Sequence, residues 1–410
     1  MKNSAVKKIL LLGGSAQQIV AIETAKKLGY YTVLCDYLPD NPGQFYADKF
    51  YLVSTTDRQA VLKVAQEENV DGVLAYASDP AAPTAAYVAE AMGLPTNPFS
   101  SVEILCNKDK FRDFLCEHGF HTPKSKGYED VNIACKELRS NVLNLPVIIK
   151  PVDSSGSKGV TVLDSLENLV EAIKFAFSFS RSKRIVVEEF IKKNHEFLIG
   201  GDIFVIDGEI KLWGLLNCHR DESVNSLVPT GKSHPLRLSK KDLLTVKQTL
   251  QQMVNNLSIK NGAMNVELIV DERGNAFPID VGPRNGGNMI PDLLGLIYGV
   301  DVVEMTVKSA MGDKIELGCI EEKGLFATHN IHSSENGSFE CVEYSDDIKK
   351  YIVKERIYKK RGEEVEFFDN ASKAIGILFL NFDDEEKMYN ILKSINDHVI
   401  VRLGGKKQNV

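Results

Sequence analysis

Two lysines are the first residues in this sequence whose surroundings suggest chemistry. Lys108 lies in the polar run 107–112, and Lys150 ends the apolar run 145–150, which predicts a buried strand. A charge at the end of a buried strand is costly unless an anion compensates it. The two lysines therefore indicate a site for an anionic ligand, and a nucleotide is the first candidate.

A loop of small residues follows Lys150 and strengthens this interpretation. Four of its residues are candidates for contact with phosphate: Ser155, Gly156, Ser157 and Gly159. Small, flexible residues let backbone N–H groups surround phosphate oxygens, and Lys158 adds a positive charge. Taken alone, the loop 153–159 could equally be a plain hairpin connection.

Two acidic residues interrupt predicted strands further along the chain. Glu267 lies within the strand predicted for 264–270, and Asp280 lies within the one predicted for 276–281. Carboxylates on paired strands supply the hard oxygens that Mg²⁺ prefers and leave room for phosphates. A surface position on a strand is the alternative for each acid. Arg284 follows in a glycine-rich turn, where its guanidinium could stabilise a transferring phosphoryl group.

Two common phosphate-binding motifs are incomplete in this sequence. The Gly-Lys-Ser run at 231–233 resembles the end of a Walker A loop, but residue 226, where the first glycine belongs, is serine. The turn that begins at Gly13 resembles a dinucleotide fingerprint, but Gln18 replaces its third glycine. An NAD site that uses Asp36 is kept only as an alternative. The other interpretation is a tight turn whose helix N-terminus accepts a substrate anion.

The elements that must position these residues predict a mixed α/β and α+β chain. Apolar strands and helical patterns alternate over residues 1–100, which favours a parallel α/β domain. A larger domain is predicted for 101–315, and it begins with one helix near 101–118. Shorter strands and one late helix predict a small C-terminal α+β domain over 316–410.

The histidines and cysteines suggest no metal site. His329 and His332 are three residues apart in a predicted strand, so we expect their side chains to point to opposite faces. The seven cysteines include no C-x-x-C pair, which argues against a disulfide framework and a zinc cluster. A reducing compartment fits this cysteine usage best.

Composition limits the class of protein. A chain of 410 residues is long enough for two or three domains, each with its own core. The net charge of -7 argues against a general nucleic-acid binder. The sequence has no run of 18 apolar residues and no signal-like segment at its start, so we expect a cytoplasmic protein without a membrane span.

Taken in order, these motifs resemble those of the ATP-grasp superfamily of carboxylate–amine and carboxylate–thiol ligases. The sequence of the first domain is similar to that of phosphoribosylglycinamide synthetase-like and carbamoyl-phosphate-synthase-like proteins. The resemblance implies a pre-ATP-grasp domain at 1–100, an ATP-grasp domain at 101–315 with a mobile lid near 122–190, and a C-terminal domain at 316–410. Carried over residue by residue, it implies that Lys108 and Lys150 are the two lysines of the ATP site and that Glu188, Phe190 and Ile191 form the adenine hinge. It also implies a ribose-binding acid at Glu196, metal-binding acids at Glu267 and Asp280, and a catalytic arginine at Arg284.

The resemblance also implies an activity. ATP with Mg²⁺ or Mn²⁺ would activate a small carboxylate as an acyl phosphate, which an amine then attacks, and Lys150 and Arg284 would be catalytic. An inactive ATP-binding or regulatory module and an NAD-dependent oxidoreductase stay as alternatives. A homodimer is left open, and so are both substrates and the roles of four groups near a polar loop: His219, Arg220, Lys232 and His234.

One departure from the family pattern bears on the metal. Many relatives carry an asparagine two residues after the second metal acid, but this chain has Gly282 there. A third ligand could therefore come from Asn285, Asn288 or water. The number of bound metal ions stays open for the same reason.

Overall fold

A four-stranded parallel sheet opens the chain in the computed structural model, which describes residues 6–154, 156–221, 224–318 and 320–404. The strand order is β3-β2-β1-β4. Helices cover its two faces, so the parallel α/β arrangement predicted here is confirmed. The elements are β1 (Lys8–Leu12), α1 (Ile19–Lys27), β2 (Tyr31–Asp36), β3 (Lys49–Leu52), α2 (Arg58–Glu68), β4 (Gly72–Leu74), α3 (Ala82–Ala91) and α4 (Phe99–Leu105), with a 3-10 turn at Pro42–Phe45.

The turn after β1 is closed by side chains of the chain itself. Gly13 has a φ of +108°, and a Cβ there would lie 2.4 Å from the side chain of Gln18. Gln18 accepts a hydrogen bond from the N–H of Ser15 at 2.9 Å and donates to the carbonyl of Tyr76. The glycine is therefore needed because a glutamine amide fills the space beside it.

A second, antiparallel sheet forms the segment that the sequence predicts as a lid. Its order is β5-β8-β6-β7, and two of its helices bury apolar residues against one face. The elements are α5 (Lys108–Glu117), β5 (Ser125–Tyr128), α6 (Val131–Arg139), β6 (Val147–Pro151), β7 (Thr161–Leu163), α7 (Leu169–Phe179) and β8 (Ile185–Glu189).

The single helix predicted near 101–118 is wrong, because the structure has two helices there, α4 and α5. Asn107 between them has an extended backbone with a φ of -126°. Its side chain donates to the carbonyl of Glu103 at 2.8 Å and accepts from Arg184 at 3.0 Å. An asparagine that bonds nearby groups in this way competes with the helical hydrogen bonds. The break makes Lys108 the first residue of α5.

An eight-stranded sheet forms the centre of the molecule, in the order β13-β12-β9-β10-β11-β14-β18-β16. Helix α8 covers one face of it, and helices α9 and α10 cover part of the other. No helix among the described residues is both long and apolar enough to span a bilayer. The elements up to α10 are β9 (Leu198–Ile206), β10 (Glu209–Asp221), β11 (Asn225–His234), α8 (Lys240–Asn256), β12 (Gly262–Val270), β13 (Ala276–Gly282), α9 (Ile290–Tyr298) and α10 (Val302–Met311).

The last part of the chain contributes to the large sheet as well as to a small one. Strands β14, β18 and β16 extend the eight-stranded sheet, while β17, β15 and β19 form a three-stranded antiparallel sheet. The proposed domain boundaries near 100 and 315 stay a prediction. The elements are β14 (Leu325–Ile331), β15 (Gly337–Tyr344), α11 (Asp346–Lys349), β16 (Ile352–Ile357), β17 (Glu364–Val365), β18 (Gly376–Phe382), α12 (Glu385–Lys393), α13 (Ile395–His398) and β19 (Val399–Gly404), with a 3-10 turn at Ala371–Lys373.

Candidate active site

A cleft of about 1570 Å³ lies between the lid sheet and the large sheet. Most of the residues predicted to form the site line it: Lys108, Lys150, Gly156, Ser157, Glu188, Phe190, Ile191, Glu196, Glu267 and Asp280. Gly159 and Arg284 do not line this cleft, and Ser155 lies outside the described residues. Residues separated by more than 150 positions in the sequence thus meet around one space.

Lys150 and Glu188 form a buried ion pair inside the lid sheet. The two residues lie on neighbouring strands, β6 and β8, with 2.7 Å between the Lys150 Nζ and a Glu188 carboxylate oxygen. Burial favours the neutral form of both groups. Burial lowers the pKa of Lys150. At Glu188 the positive charges of Arg112 and Lys150 outweigh the effect of burial and hold the pKa of the carboxyl at about 2. Both side chains are therefore fixed in one arrangement at the cleft wall.

Arg112 completes this ion-pair network and was missed by the sequence analysis. Its Nε donates to the second oxygen of Glu188 at 2.9 Å, and its Nη2 donates to the carbonyl of Ile279 at 2.6 Å. The guanidinium therefore joins helix α5, the lid strand β8 and the strand that carries Asp280. The available signal was its position one helical turn after Lys108, where the two side chains share a face.

Lys108 faces the second metal-candidate acid. Its Nζ lies 3.3 Å from an oxygen of Asp280 and 3.1 Å from the carbonyl of Ser154, at the start of the small-residue loop. Burial lowers the pKa of Lys108, but the carboxylates of Asp280 and Asp79 outweigh it and raise the pKa overall. The lysine is thus charged and stands between the loop and the acid.

Glu267 and Asp280 are opposite each other on the paired strands β12 and β13. Residues directly opposite in an antiparallel pair extend to the same side of the sheet, and here both line the cleft. The side chains are 24% and 41% exposed, so their oxygens are accessible. Hard carboxylate oxygens in this arrangement fit a cation such as Mg²⁺.

In the described part of the chain, no third histidine, cysteine or carboxylate joins these two acids in a metal-binding group. The side chain of Asn285 is fully buried, and neither of its amide atoms has a hydrogen-bond partner in the described part of the chain. Asn285 does not line the cleft either. The remaining ligands of a bound cation would therefore have to come from phosphate oxygens and water.

The small-residue loop is attached to other parts of the chain. The Ser157 hydroxyl donates to the carbonyl of Leu227 at 2.8 Å, and the carbonyl of Gly156 accepts from the N–H of Ala371 at 3.4 Å. Gly159 has a different reason to be glycine, because a Cβ there would come within 2.8 Å of Pro151. The loop thus closes over the cleft from the lid side, with Gly159 packed behind it.

Phe190, Ile191 and Glu196 line the cleft after β8. The N–H of Phe190 donates to the carbonyl of Pro146, which fixes the backbone of this segment against the lid. Glu196 pairs with Arg237 at 3.1 Å, and its side chain is 62% exposed. The segment therefore forms the open rim of the cleft.

Arg284 pairs with Asp79 at the carboxyl end of the first sheet. Its Nε donates to Asp79 at 2.6 Å, and its Nη2 donates to the second carboxylate oxygen. Asp79 raises the pKa of Arg284 although burial opposes this. A Cβ at Gly282 would lie 2.7 Å from the same carboxylate, so a larger residue there would have to displace the Asp79 side chain. The catalytic role of Arg284 stays a prediction.

The expectation that the side chains of His329 and His332 point to opposite faces is wrong. The rings of His329 and His332 lie 5.4 Å apart, because β14 ends at Ile331 and His332 turns back towards it. Burial lowers the pKa of His329 to about 3, and that of His219 in the cleft wall to about 4. These imidazoles are neutral near pH 7.

Comparison with known proteins identifies the central part of the chain. A family model described as an ATP-grasp domain matches residues 143–292. A formate-dependent phosphoribosylglycinamide formyltransferase of Prochlorococcus marinus is 30% identical over 196 residues, which are 47% of this chain and 50% of that protein. The chain spans about half the length of the first curated relatives that it matches.

Solved structures extend the likeness to nearly the whole chain. An L-amino acid ligase from Bacillus licheniformis has a TM-score of 0.81 at 20% identity, with 97% of this chain and 99% of that chain covered. The biotin carboxylase domain dimer of Hydrogenobacter thermophilus 2-oxoglutarate carboxylase, solved with MgADP, ADP and bicarbonate, has a TM-score of 0.74 at 16% identity, covering 97% and 91%. These likenesses confirm the predicted fold class, and the family model matches an ATP-grasp domain to residues 143–292.

Proposed function

We propose that the protein is an ATP-dependent ligase that activates a carboxylate as an acyl phosphate and joins it to an amine. The observation that carries the proposal is the meeting of Lys108, Lys150, Glu267 and Asp280 around one cleft. Two cations and two accessible carboxylates in this arrangement match the needs of a magnesium nucleotide. The match of residues 143–292 to an ATP-grasp domain and one structural neighbour solved with MgADP support the same ligand.

The nucleotide would lie along the cleft. The adenine would meet the rim at Phe190 and Ile191, and the ribose would meet Glu196. The phosphates would extend past Lys150 and Lys108 under the loop at Gly156 and Ser157. Mg²⁺ or Mn²⁺ held by Glu267 and Asp280 would neutralise charge on the phosphate oxygens.

The chemistry needs no covalent bond to the protein. The terminal phosphoryl group of ATP would pass to the carboxylate substrate, giving ADP and an acyl phosphate. The amine would then attack the acyl carbon, and phosphate would leave as the carbon–nitrogen bond forms. Lys108 and Lys150 would stabilise charge on the transferring group, while the lid would exclude water that hydrolyses the acyl phosphate.

The substrates are proposed to be small molecules. The names of the similar proteins suggest formate, bicarbonate and amino acids as carboxylates to try first. A cytoplasmic location and a homodimer are part of this proposal, and the dimer of one structural neighbour supports the second. No nucleic acid or membrane is expected to take part.

The test is ADP release from ATP·Mg²⁺ in the presence of each carboxylate with a set of amines. The Lys150→Ala and Glu267→Ala variants should abolish it while their melting temperatures show that they stay folded. Lys126→Ala is the matched control, because Lys126 lies on β5 of the same lid sheet and is 46% exposed. Full turnover in both cleft variants would rule the proposal out, and ATP binding without any ADP release would favour a regulatory module instead.

A further inference from the structure

Lys232 is a buried cation on the large sheet, and the carboxylate of Asp202 acts on it only from beyond ion-pair distance. The Lys232 side chain is 7% exposed, and it forms no ion pair with a carboxylate in the described part of the chain. The Nζ donates to the thiol of Cys218 at 2.6 Å. Burial raises the pKa of that thiol, so the nearest partner of the ammonium is neutral near pH 7. A buried charge with a neutral partner is costly, and an anion would offset the cost.

The surroundings of Lys232 belong to the cleft wall. Lys232 on β11 lies opposite Cys218 on β10 and opposite Thr328 on β14. Cys218, Thr328 and the neighbouring residues Thr230 and Gly231 all line the cleft. Lys232 itself does not line the cleft, so its ammonium lies on the large sheet directly behind this wall, away from the two lysines that enter from α5 and the lid.

A glycine connects this ammonium with Glu267. Gly200 on β9 is directly opposite Glu267 on β12, and a Cβ at Gly200 would lie 3.0 Å from the Lys232 Nζ and 2.5 Å from the Cys218 sulfur. Because Gly200 has no side chain, the ammonium occupies the space above the backbone position that faces Glu267 across the strand pair. Asp280 flanks Glu267 on the other side, since its strand β13 is the other neighbour of β12.

The other groups near this point are less suited to an anion. Burial lowers the pKa of both His219 and His234, so these imidazoles are neutral near pH 7. Arg220 has a Glu267 oxygen 3.8 Å from its Nη2, and its Nη1 donates to the carbonyl of Leu227. Of the four groups whose roles the sequence left open, Lys232 is thus the buried cation whose side chain donates to a neutral group.

We infer that Lys232 binds an oxyanion next to Glu267, at the end of the cleft where the phosphoryl group meets its acceptor. This inference rests on the proposed function, which supplies two oxyanions at that point: the carboxylate substrate and the transferred phosphoryl group. The ammonium would turn from the Cys218 thiol to the anion. Charge-assisted hydrogen bonds of this kind are among the stronger polar contacts in proteins.

The test uses the full chain with ADP·Mg²⁺ and two probe anions, inorganic phosphate and acetate, measured separately by calorimetric titration. The wild type saturated with ADP·Mg²⁺ should bind one or both anions. Lys232→Met should weaken anion binding by about 10-fold or more, since one charge-assisted hydrogen bond is lost. The affinity for ADP·Mg²⁺ should stay within about 3-fold of the wild-type value. If the variant weakens only phosphate binding, the oxyanion is the phosphoryl group. If it weakens only acetate binding, the oxyanion is the carboxylate substrate.

Two variants control for causes other than charge. Cys218→Ala keeps the ammonium and removes the thiol, so anion binding should persist. Lys211→Met removes an exposed lysine from β10, where it is 47% exposed, and should change nothing. Lys232→Gln, a polar replacement, is the second variant if Lys232→Met does not retain ADP·Mg²⁺ binding.

Each other outcome overturns the inference. Unchanged phosphate and acetate affinity in Lys232→Met or Lys232→Gln shows that Lys232 does not bind the anion. A wild type that binds ADP·Mg²⁺ but neither anion removes the oxyanion site and leaves the nucleotide site standing. A wild type that does not bind ADP·Mg²⁺ removes the proposed function, and this inference with it.

Discussion

Glu267 and Asp280 face each other across the β12–β13 pair, and the Nζ of Lys108 lies 3.3 Å from an oxygen of Asp280. The strand register alone brings the two carboxylates to one side of the sheet. Lys108 arrives from the start of helix α5, more than 150 residues earlier. The candidate metal acids and the first candidate phosphate lysine are thus held by separate elements that meet only in the folded chain.

We expect Glu267→Gln and Asp280→Asn each to lower ADP formation by about 100-fold or more, because a neutral amide is a poor ligand for Mg²⁺. The loss should be partly recovered at higher Mg²⁺ concentration in the single variants. Steady-state rates over a Mg²⁺ series check this. Glu209→Gln on β10 is the control, since Glu209 is 68% exposed and pairs with Lys211 away from the cleft residues. A wild-type rate at low Mg²⁺ in either cleft variant would contradict a metal role.

Arg112→Met should destabilise the protein by about 3–5 kcal/mol, because it removes one of the two cations that hold the buried carboxylate of Glu188. Urea unfolding followed by fluorescence and circular dichroism measures the change. The double variant Arg112→Met/Glu188→Gln should be less destabilised than the sum of its single variants, since each single variant already loses the direct Arg112–Glu188 contact. Simple additivity in that cycle would show that the two side chains do not act as one unit.

The sequence predicted the elements around the cleft better than the partners inside it. Lys150 was placed at the end of a buried strand because the apolar run before it is plain, and the structure has β6 there. The Arg112–Glu188 contact was not foreseen, because 76 positions separate the two residues and only the folded lid brings them together. The helix break at Asn107 and the return of His332 towards His329 depend on single side-chain hydrogen bonds and a strand end, which periodicity does not report.

Asp202 should make stability fall as the pH rises from about 4 to about 6. Burial raises the pKa of its carboxyl to about 6, although the N–H of Gly286 and the amide of Asn265 donate to it. The folded state therefore holds a proton that the unfolded state has already released above its usual pKa near 4. The free energy of unfolding should lose about 3 kcal/mol from this group over that interval.

Asp202→Asn should remove this contribution to the pH dependence. Urea unfolding of the wild type and the variant at a series of pH values measures it, and the difference between the two curves isolates the group from all others. Asp313→Asn is a useful contrast, because the pKa of Asp313 is lowered in the folded state, where burial is outweighed by Lys7 and Tyr30. Its contribution should have the opposite sign, with stability lost as the pH falls. Parallel curves for wild type and Asp202→Asn would contradict the prediction.

Asp79 and Arg284 should behave as one coupled pair. The bidentate contact joins the turn after the first sheet to the end of β13, and the side chains are 22% and 13% exposed. Because each single variant, Asp79→Asn or Arg284→Met, removes the bidentate contact between two partly buried charges, we expect each to lower the free energy of unfolding by about 2 kcal/mol. The double variant should lower the free energy of unfolding by little more than either single variant.

Gly282→Ala should cause a similar loss, since its Cβ would lie 2.7 Å from the Asp79 carboxylate. Arg237→Met, which breaks the exposed contact with Glu196, should change stability by less than about 1 kcal/mol. Additive losses in the Asp79 and Arg284 cycle would show that the pair carries no coupling, and would leave Arg284 available for the phosphoryl group that the sequence assigned to it.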